Sequence, residues 1–172
     1  MRIDAGLDTG DILLQEQLPI APEDSSETLA PRLAAIGADL MVKTLRGLQK
    51  GSVRPQPQDH AHATLAPILK KEEGLIDFKR SAIEIGNRLR GFQPWPGAFT
   101  RFRGKNLQVW SAQLANESIA PGMIHIADDR LLVGCGQSTA LELLEVQPEG
   151  KKRMPAGAFI RGYRPQAGDH LG

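Results

Sequence analysis

The first candidate for chemistry is a short polar turn near the start of the chain, Gly6-Leu7-Asp8-Thr9-Gly10-Asp11. It combines two carboxylates, two glycines and a hydroxyl directly before an apolar stretch that is typical of a strand. Glycines allow the backbone to approach a ligand closely, and a carboxylate in such a turn can orient a catalytic imidazole. The same residue types also build tight turns without a function, so the pattern alone leaves both interpretations open.

Three other groups of residues have both a functional and a purely structural interpretation. His60 and His62 could bind a metal, but two histidines in a polar segment without a third ligand are usually exposed, and we expect no metal site. Cys135, between two glycines, is predicted to be a small buried residue. Five aromatic residues could form a base-stacking platform, although their small number favours the core. They are Phe92, Trp95, Phe99, Phe102 and Trp110.

The composition is that of a chain that can bury a core. The chain has 172 residues, of which 41% are hydrophobic, with 18 glycines and 12 prolines that predict many turns. Its net charge of +1 gives no strong overall field, so a charged partner would need a local patch. The single cysteine excludes an intrachain disulfide, and no segment has the length and hydrophobicity of a membrane span or a signal peptide. We therefore expect a cytoplasmic protein that does not associate with membranes.

The elements that follow the polar turn are predicted from the apolar pattern. Residues 11–20 predict a strand, and a helix is expected from near Thr28, which keeps Pro31 in the first turn, to Gly51. A lone strand and helix cannot bury their apolar faces. Residues 1–50 are therefore interpreted as the end of an α/β domain whose beginning is absent. The apolar positions at helical spacing are Leu29, Leu33, Ile36, Leu40 and Leu48.

The rest of the chain is predicted to be a linker, residues 51–69, and a second domain, residues 70–172. Three prolines in the linker disfavour both a helix and a central strand. In the second domain, Ser81 and Glu84 form a capping box that opens a short helix, and a last short helix spans 155–164. Five strands are expected, over 98–103, 107–114, 123–127, 131–135 and 140–146. Five short strands beside a helix favour a small open β-barrel of the oligonucleotide-binding (OB) type, so the overall fold class is α+β.

Four sequence blocks follow one another along the chain in the order of a known family. GLDTGDILLQEQLPI, from Gly6, is followed by Lys71-Glu72-Glu73 with Ile76-Asp77-Phe78, by FQPWPGA from Phe92, and by GKKRM from Gly150. The first block resembles the last block of the catalytic domain of formyltetrahydrofolate-dependent formyltransferases. The others resemble the K-E-E-x-x-I-D-W/F, F-x-P-W-P-x-A and G-K-K-x-M segments of the methionyl-tRNA formyltransferase family. Together the blocks cover essentially the whole chain, which makes the resemblance specific.

The resemblance implies a fold, a reaction and a site. Residues 1–50 would be the C-terminal end of a Rossmann-like formyltransferase domain, and residues 70–172 an OB-like domain that binds tRNA. The reaction would transfer the formyl group of 10-formyltetrahydrofolate to the amino group of methionyl initiator tRNA in translation initiation, by a monomeric enzyme without a metal. Family members use an Asn, a His and an Asp to stabilise the oxyanion and move protons, and Asp8 matches the Asp. Gly6, Leu7 and Asp8 would lie against the pterin of the formyl donor.

Two parts of the family pattern are missing from these 172 residues. No S-L-L-P folate loop and no Asn-x-His pair occur. The three asparagines, Asn87, Asn106 and Asn116, are followed two positions later by Leu89, Gln108 and Ser118. We therefore expect the chain to be the C-terminal portion of a longer enzyme, and the isolated chain to be inactive.

The resemblance also predicts a tRNA-binding surface in the second domain. Residues 70–172 carry 15 basic and 11 acidic side chains, a net charge of +4. Each basic side chain that reaches a phosphate releases a counterion, whereas most lysines and arginines are simply solvated. The candidate residues are Lys70, Lys71, Arg88, Arg90, Arg101, Arg103, Lys151, Lys152 and Arg153.

Two alternatives to the implied function remain. The chain could belong to another formyltransferase or a formyl hydrolase of the same two-domain plan, acting on a nucleotide sugar or on folate itself. It could also act without catalysis, as a tRNA-binding module.

Overall fold

The computed structural model describes residues 1–166 and 168–172, which form two compact units, residues 1–68 and residues 69–172. The first unit contains one α-helix, α1 (Ser26–Gln49), and a short 3₁₀ helix, His60–His62. The described part of the second unit contains a 3₁₀ helix, Lys71–Gly74, two α-helices and six strands. No helix in the part of the chain that the structure describes is long and apolar enough to span a membrane.

Helix α1 begins earlier than the apolar pattern predicts. Ser25 is the N-cap, because its hydroxyl accepts a hydrogen bond from the Thr28 N–H at 3.4 Å while the Thr28 hydroxyl accepts one from the Ser25 N–H at 3.0 Å. These two reciprocal bonds satisfy free donors of the first turn. The predicted start near Thr28 is therefore wrong, and Pro31 lies inside the helix. The predicted end is confirmed, since Lys50 caps the helix and Gly51 follows with a φ of 67°.

The strand predicted over residues 11–20 is not formed. Within the described chain only Ile12 pairs in this stretch, in a single antiparallel bridge to Gln56 with N···O distances of 2.8 and 2.9 Å in the two directions. The prediction was wrong because an apolar run becomes a strand only where a neighbouring strand accepts its ladder of hydrogen bonds. The first unit therefore does not show the strand of an α/β domain.

The two helices of the second unit lie where they are predicted. Helix α2 (Ala82–Gly91) begins at the predicted capping box, since the Glu84 carboxylate accepts from the Ser81 N–H at 3.0 Å and from the Ser81 hydroxyl at 2.8 Å. Helix α3 (Ala156–Tyr163) ends at Arg164, which has a left-handed φ of 47°.

All five predicted strands are confirmed with small changes at their ends, and a short sixth is added. They are β1 (Ala98–Phe102), β2 (Lys105–Ala115), β3 (Ile124–Ala127), β4 (Arg130–Cys135), β5 (Thr139–Pro148) and β6 (Met154–Pro155). Phe102 pairs with Lys105, so the hairpin turns at Arg103 and Gly104, whose φ values of 48° and 76° match a two-residue turn. This turn begins one residue earlier than the predicted strand ends imply.

The strands form one antiparallel sheet in the order β1-β2-β5-β4-β3, with β6 paired to β5. The sheet is open, since the pairing that the structure describes does not join β1 to β3, and the predicted barrel is not confirmed. The C-terminal residues contact both edges instead. Leu171 forms a bridge to Phe102 in β1, and the Asp169 carbonyl accepts from the Ile124 N–H in β3 at 3.1 Å.

The core of the second unit lies between the sheet and the helices. Strand positions that alternate toward the helices are buried, as Ala98, Thr100 and Phe102 show in β1. Phe102 contacts Phe159 of α3 edge to face with ring centroids 5.2 Å apart. The α2 side of the core is formed by Ile85 and Leu89. The described part of this unit therefore has a mixed α+β architecture around one apolar core.

Candidate functional site

The turn around Asp8 is held by hydrogen bonds within the first unit. The Asp4 carboxylate accepts from the Gly6 N–H at 3.1 Å and from the Thr9 hydroxyl at 2.7 Å. The Gln58 amide donates to the backbone carbonyls of Asp8 at 2.9 Å and Gly10 at 2.7 Å. A side chain 48 residues away from Gly10 therefore fixes the shape of this turn.

Two glycines of the turn are required by close contacts. A Cβ atom on Gly6 would lie 2.0 Å from the Thr9 hydroxyl oxygen, and one on Gly10 would lie 2.1 Å from the Arg2 carbonyl oxygen. Gly6 is thus explained by the packing of the turn itself. This contact accounts for the glycine without requiring a ligand.

Asp8 occupies the exposed tip of the turn. Its φ of 55° lies in the left-handed region, which is uncommon outside glycine but tolerated by aspartate. Its carboxylate makes no hydrogen bond or ion pair with residues 1–166 or 168–172, whereas its carbonyl is bound by Gln58. The backbone is therefore fixed while the carboxylate remains accessible, an arrangement in which it can orient another group.

Four of the nine predicted tRNA-binding residues are occupied by contacts within the second unit. Arg88 donates to the Glu73 carbonyl at 3.0 Å and lies 4.7 Å from the Phe92 ring centroid, and Arg90 donates to the Asn87 side chain at 2.7 Å. The other two are Arg103 and Arg153.

Arg103 ties the β1–β2 hairpin to the C-terminal residues. Its guanidinium is 2.6 Å from the Asp169 carboxylate and donates to the carbonyls of Tyr163 at 3.1 Å and Arg164 at 3.2 Å. The hydrogen bond from Arg103, reinforced by one from the Gln166 N–H, holds the pKa of Asp169 below its ordinary value. Arg103 therefore has a structural role in this unit.

Arg153 lies over an aromatic ring on the outer surface of the sheet. Its guanidinium is 4.9 Å from the centroid of the Trp110 ring and is bonded to the Glu145 carboxylate. The Trp110 indole N–H donates to Gln147 at 3.0 Å. This arrangement combines a cation–π contact with an ion pair, so the charge of Arg153 is partly compensated.

The remaining five predicted tRNA-binding residues are exposed. Their side chains make no hydrogen bond, ion pair or ring contact within the described parts of the chain, so their charges are free to interact with an anion. They are Lys70, Lys71, Arg101, Lys151 and Lys152.

The prediction that the aromatic residues form core is correct for Phe102 and wrong for Trp95 and Trp110. Phe102 is buried, whereas Trp95 is 55% exposed and Trp110 half-buried under Arg153. Trp110 lies outside the core because side chains alternate between the two faces of a strand, and its neighbour in β2, Val109, faces inward. Phe92 and Phe99 are half-buried.

Cys135 is buried as predicted, and burial raises the pKa of its thiol to about 11. His60 and His62 are exposed, and His62 lies 2.8 Å from the Asp59 carboxylate. Among the residues that the structure describes, no cluster of histidine, cysteine or acidic side chains could hold a metal ion.

Sequence reasoning missed Gln58 and Asp4, the two side chains that hold the turn. Gln58 lies in the segment predicted to be a linker, and a glutamine among prolines carries no local signal for a contact so distant along the chain. Asp4 lies outside the block GLDTGD, and a single aspartate two residues before it carries no signal of its own.

Comparison with known families gives two matches that together cover most of the chain. The family described as formyl transferase, C-terminal domain, matches residues 68–164, and the family described as formyl transferase matches residues 1–45.

Curated relatives match the whole chain. The chain is 63% identical over 172 residues to the methionyl-tRNA formyltransferase of Koribacter versatilis. It is 52% identical over 174 aligned positions to the methionyl-tRNA formyltransferase of Solibacter usitatus. Each match covers 100% of this chain and 55% of the relative. The chain therefore spans about half the length of the curated relatives that it matches.

Solved structures show the same fold at low sequence identity. HypX from Aquifex aeolicus in complex with tetrahydrofolic acid has a TM-score of 0.61 at 14% identity, covering 95% of this chain and 29% of that protein. The N-formyltransferase from Helicobacter canadensis, in complex with folinic acid and dTDP-3-aminofucose, has a TM-score of 0.59 at 20% identity. That match covers 85% of this chain and 53% of the other. The likeness is one of fold.

Proposed function

The chain belongs to the formyl transferase family, and on this premise we propose that it is part of a methionyl-tRNA formyltransferase. The reaction is transfer of the formyl group of 10-formyltetrahydrofolate to the amino group of methionyl initiator tRNA. The observation that carries this proposal is the whole-chain match to proteins of that name. We take the enzyme to act in the cytoplasm as a monomer, in keeping with its single, buried cysteine.

Asp8 is the catalytic residue that we propose for this chain. Its accessible carboxylate would orient the imidazole of the family's histidine and keep it basic while the amine attacks the formyl carbon. Gly6 and Leu7 precede it in the same turn and would lie against the formyl donor. The hydrogen bonds from Gln58 support the proposal, because they fix the backbone that carries Asp8, so that only its side-chain torsions remain to be ordered on binding.

We propose that residues 1–50 belong to the catalytic domain, residues 51–69 to a linker and residues 70–172 to an OB-like tRNA-binding domain. Contacts of the C-terminal residues with both β1 and β3 support a barrel-like arrangement. The exposed lysines and Arg101 would contact phosphates. Arg88, Arg90, Arg103 and Arg153 would contribute mainly to the shape of this surface.

The 172-residue chain by itself is proposed to be inactive, because it carries no Asn-x-His pair. Purified chain should give no formyl transfer from 10-formyltetrahydrofolate to methionyl initiator tRNA. Transfer above the level of a blank without protein would overturn this part of the proposal.

A chimera tests the chemistry directly. Residues 1–172 replace the matching 55% of the Koribacter versatilis relative, and formyl transfer to methionyl initiator tRNA is measured. Asp8→Asn should lower kcat by about 10²–10⁴-fold with little change in KM, the range expected for loss of a group that supports proton transfer. Asp39→Asn, on the exposed surface of α1, is the matched control. Equal kcat values for the two variants would refute the role of Asp8.

A non-catalytic tRNA-binding module is the second candidate, and the self-contained core of the second unit favours it. Binding of initiator tRNA to the 172-residue chain is measured as a function of salt. Lys71→Ala should reduce the slope of log K against log salt by about 0.9, the value for one phosphate contact, and Lys79→Ala is the exposed lysine control. Strong binding together with an inactive chimera would favour the module over the enzyme.

A nucleotide-sugar formyltransferase is the third candidate, because the Helicobacter canadensis structure contains such a sugar. The chimera also separates this candidate from the first. Formylation of dTDP-3-aminofucose in preference to methionyl-tRNA would select it.

A further inference from the structure

A cleft of about 340 Å³ lies in the second unit between the β1–β2 hairpin, the end of β5 and helix α3. Phe102, Leu107 and Phe159, all buried, line its apolar floor. The Tyr163 ring stacks on Phe159 with centroids 4.7 Å apart and planes inclined by 19°. The volume falls within the range of about 300–1,000 Å³ that is typical of small-ligand sites.

The rim of the cleft carries polar side chains that are free to bind a ligand. Lys105, Asn106, Lys151 and Tyr163 make no side-chain hydrogen bond or ion pair with residues 1–166 or 168–172. Glu149, the one acidic side chain among the described residues of the rim, already accepts from the Asn106 N–H at 3.0 Å. Arg103 is already paired with Asp169, so the charge balance of the rim is set by two free lysines against one engaged carboxylate, which favours an anion.

Two other clefts of this unit lack the combination of an aromatic floor and free cations. In the cleft beside α2, of about 210 Å³, Arg88 is bonded to the Glu73 carbonyl and Arg80 lies 3.7 Å from Glu84. Among the described residues that line the cleft beside β3, of about 650 Å³, there is neither a lysine nor an arginine.

We infer that the cleft between the hairpin and α3 binds an unpaired nucleotide of an RNA chain. The base packs against the half-buried Tyr163 ring, because aromatic side chains stack with any base, and the buried Phe159 supports that ring from its other face. The Asn106 amide, which offers both a donor and an acceptor, hydrogen-bonds to the edge of the base. Lys105 and Lys151 come from different strands and turns and contact the phosphates on either side of the nucleotide. This inference rests on the proposed function, since it names the part of the tRNA that this unit would hold.

Binding by the 172-residue chain tests the inference, with initiator tRNA, a single-stranded RNA heptamer and a blunt RNA duplex as probes. Asn106→Ala should weaken heptamer binding about tenfold and duplex binding less than twofold, since one amide pairing with a base is lost. The Asn106 backbone keeps its bonds to Glu149, so the fold is retained. Lys105→Ala with Lys151→Ala should reduce the heptamer salt slope by about 1.4, or 0.7 per phosphate. Lys79→Ala, an exposed lysine outside this cleft, should leave heptamer affinity unchanged.

Each outcome separates this inference from the proposed function. In the first outcome, the wild-type chain binds tRNA and the affinities of the cleft variants stay within twofold of wild type for every probe. This result overturns the cleft as a binding site and leaves the proposed function standing. Heptamer binding that the variants weaken, without tRNA binding, overturns the proposed function and supports the cleft. If the variants lose affinity for the heptamer and for the duplex equally, the cleft makes only general phosphate contacts. This result overturns the inference that it binds an unpaired nucleotide. Absence of binding to all three RNAs overturns both.

Discussion

The two units differ in where their apolar side chains lie. In the second unit the core residues Phe159 and Leu107 are each 1% exposed. In the first unit, helix α1 has no buried residue, and Leu33 and Leu45 are 52% and 58% exposed. Since burial of apolar surface is the main favourable contribution to folding, the second unit has its own source of stability. The first unit, which carries the candidate catalytic carboxylate, depends mainly on polar contacts.

The polar contacts of the first unit are local at α1 and distant at the Asp8 turn. At the helix start, the Asp24 carboxylate accepts from the Ala21 N–H and is 2.8 Å from the Arg32 guanidinium. At the turn, Gln58 supplies the bonds to Asp8 and Gly10. Exposed contacts of this kind contribute little individually. The two units should therefore differ in how much free energy of unfolding a single substitution removes, and this difference can be measured.

The largest difference is expected for truncation of apolar side chains. Phe159→Ala should lower the free energy of unfolding of the second unit by about 3–5 kcal/mol, because it removes a buried ring and leaves a cavity. Leu33→Ala on α1 should change stability by less than about 0.5 kcal/mol. Urea unfolding followed by tryptophan fluorescence reports the second unit, since both tryptophans lie there. The helical circular dichroism signal reports mainly α1, which is longer than α2 and α3 together. Equal losses for the two variants would contradict the difference between the units.

Glycine substitutions provide a smaller and independent comparison. A Cβ atom on Gly136 would lie 1.9 Å from the Lys79 carbonyl oxygen, so Gly136→Ala should cost about 1–3 kcal/mol through overpacking. Gly37, inside α1, has nothing within 4 Å of its Cβ position, and Gly37→Ala should stabilise the helix by about 0.5–1 kcal/mol.

Gly162→Ala shows whether the loss of stability in Gly136→Ala comes from the close contact of the added Cβ atom or from a general sensitivity of the second unit to substitution. Gly162 lies in α3 of the second unit, and its Cβ position is also open. This variant should stabilise as Gly37→Ala does when thermal unfolding is measured. Destabilisation by Gly162→Ala would show that the second unit is sensitive to any added methyl group.

Much of the second unit could be predicted from the sequence because its signals are local. The capping box of α2 needs only Ser81 and Glu84, and the hairpins need only alternating strands around turn residues. The outward position of Trp110 follows from the same local alternation, since Leu107 and Val109 are the buried positions next to it in β2. The open edge of the sheet depends instead on strand pairing, which a local pattern does not determine.

Less of the first unit could be predicted, because its structure depends on partners far along the chain. The apolar run after Asp11 has the composition of a strand and forms only the bridge from Ile12 to Gln56. The turn at Asp8 was identified from its residue types, but Gln58, which holds it, gave no local signal. The catalytic role of Asp8 comes from the resemblance alone and stays a prediction until the chimera is tested.

The smallest expected difference concerns pH. Hydrogen bonds, first from the Ala21 N–H and then from Arg32, hold the pKa of Asp24 below its ordinary value, and Arg103 does the same for Asp169 in the second unit. A lowered folded-state pKa gives stability that is present above the unfolded-state pKa and is lost as the pH falls through the folded-state pKa. Acidification should therefore reduce the α1 dichroism before the tryptophan fluorescence changes, because a core supports the second unit at low pH while α1 relies on its exposed cap.

Two variants test this order of events. Asp24→Asn should make the α1 signal less dependent on pH in the acid range, and Asp169→Asn should do so for the fluorescence transition by a smaller amount. Both side chains keep an oxygen that accepts the backbone N–H, so the change reports mainly the lost charge. If Asp24→Asn and wild type lose the α1 signal along the same acid titration curve, another carboxylate controls the helix start. The stability of the first unit would then not depend on the ion pair between Asp24 and Arg32.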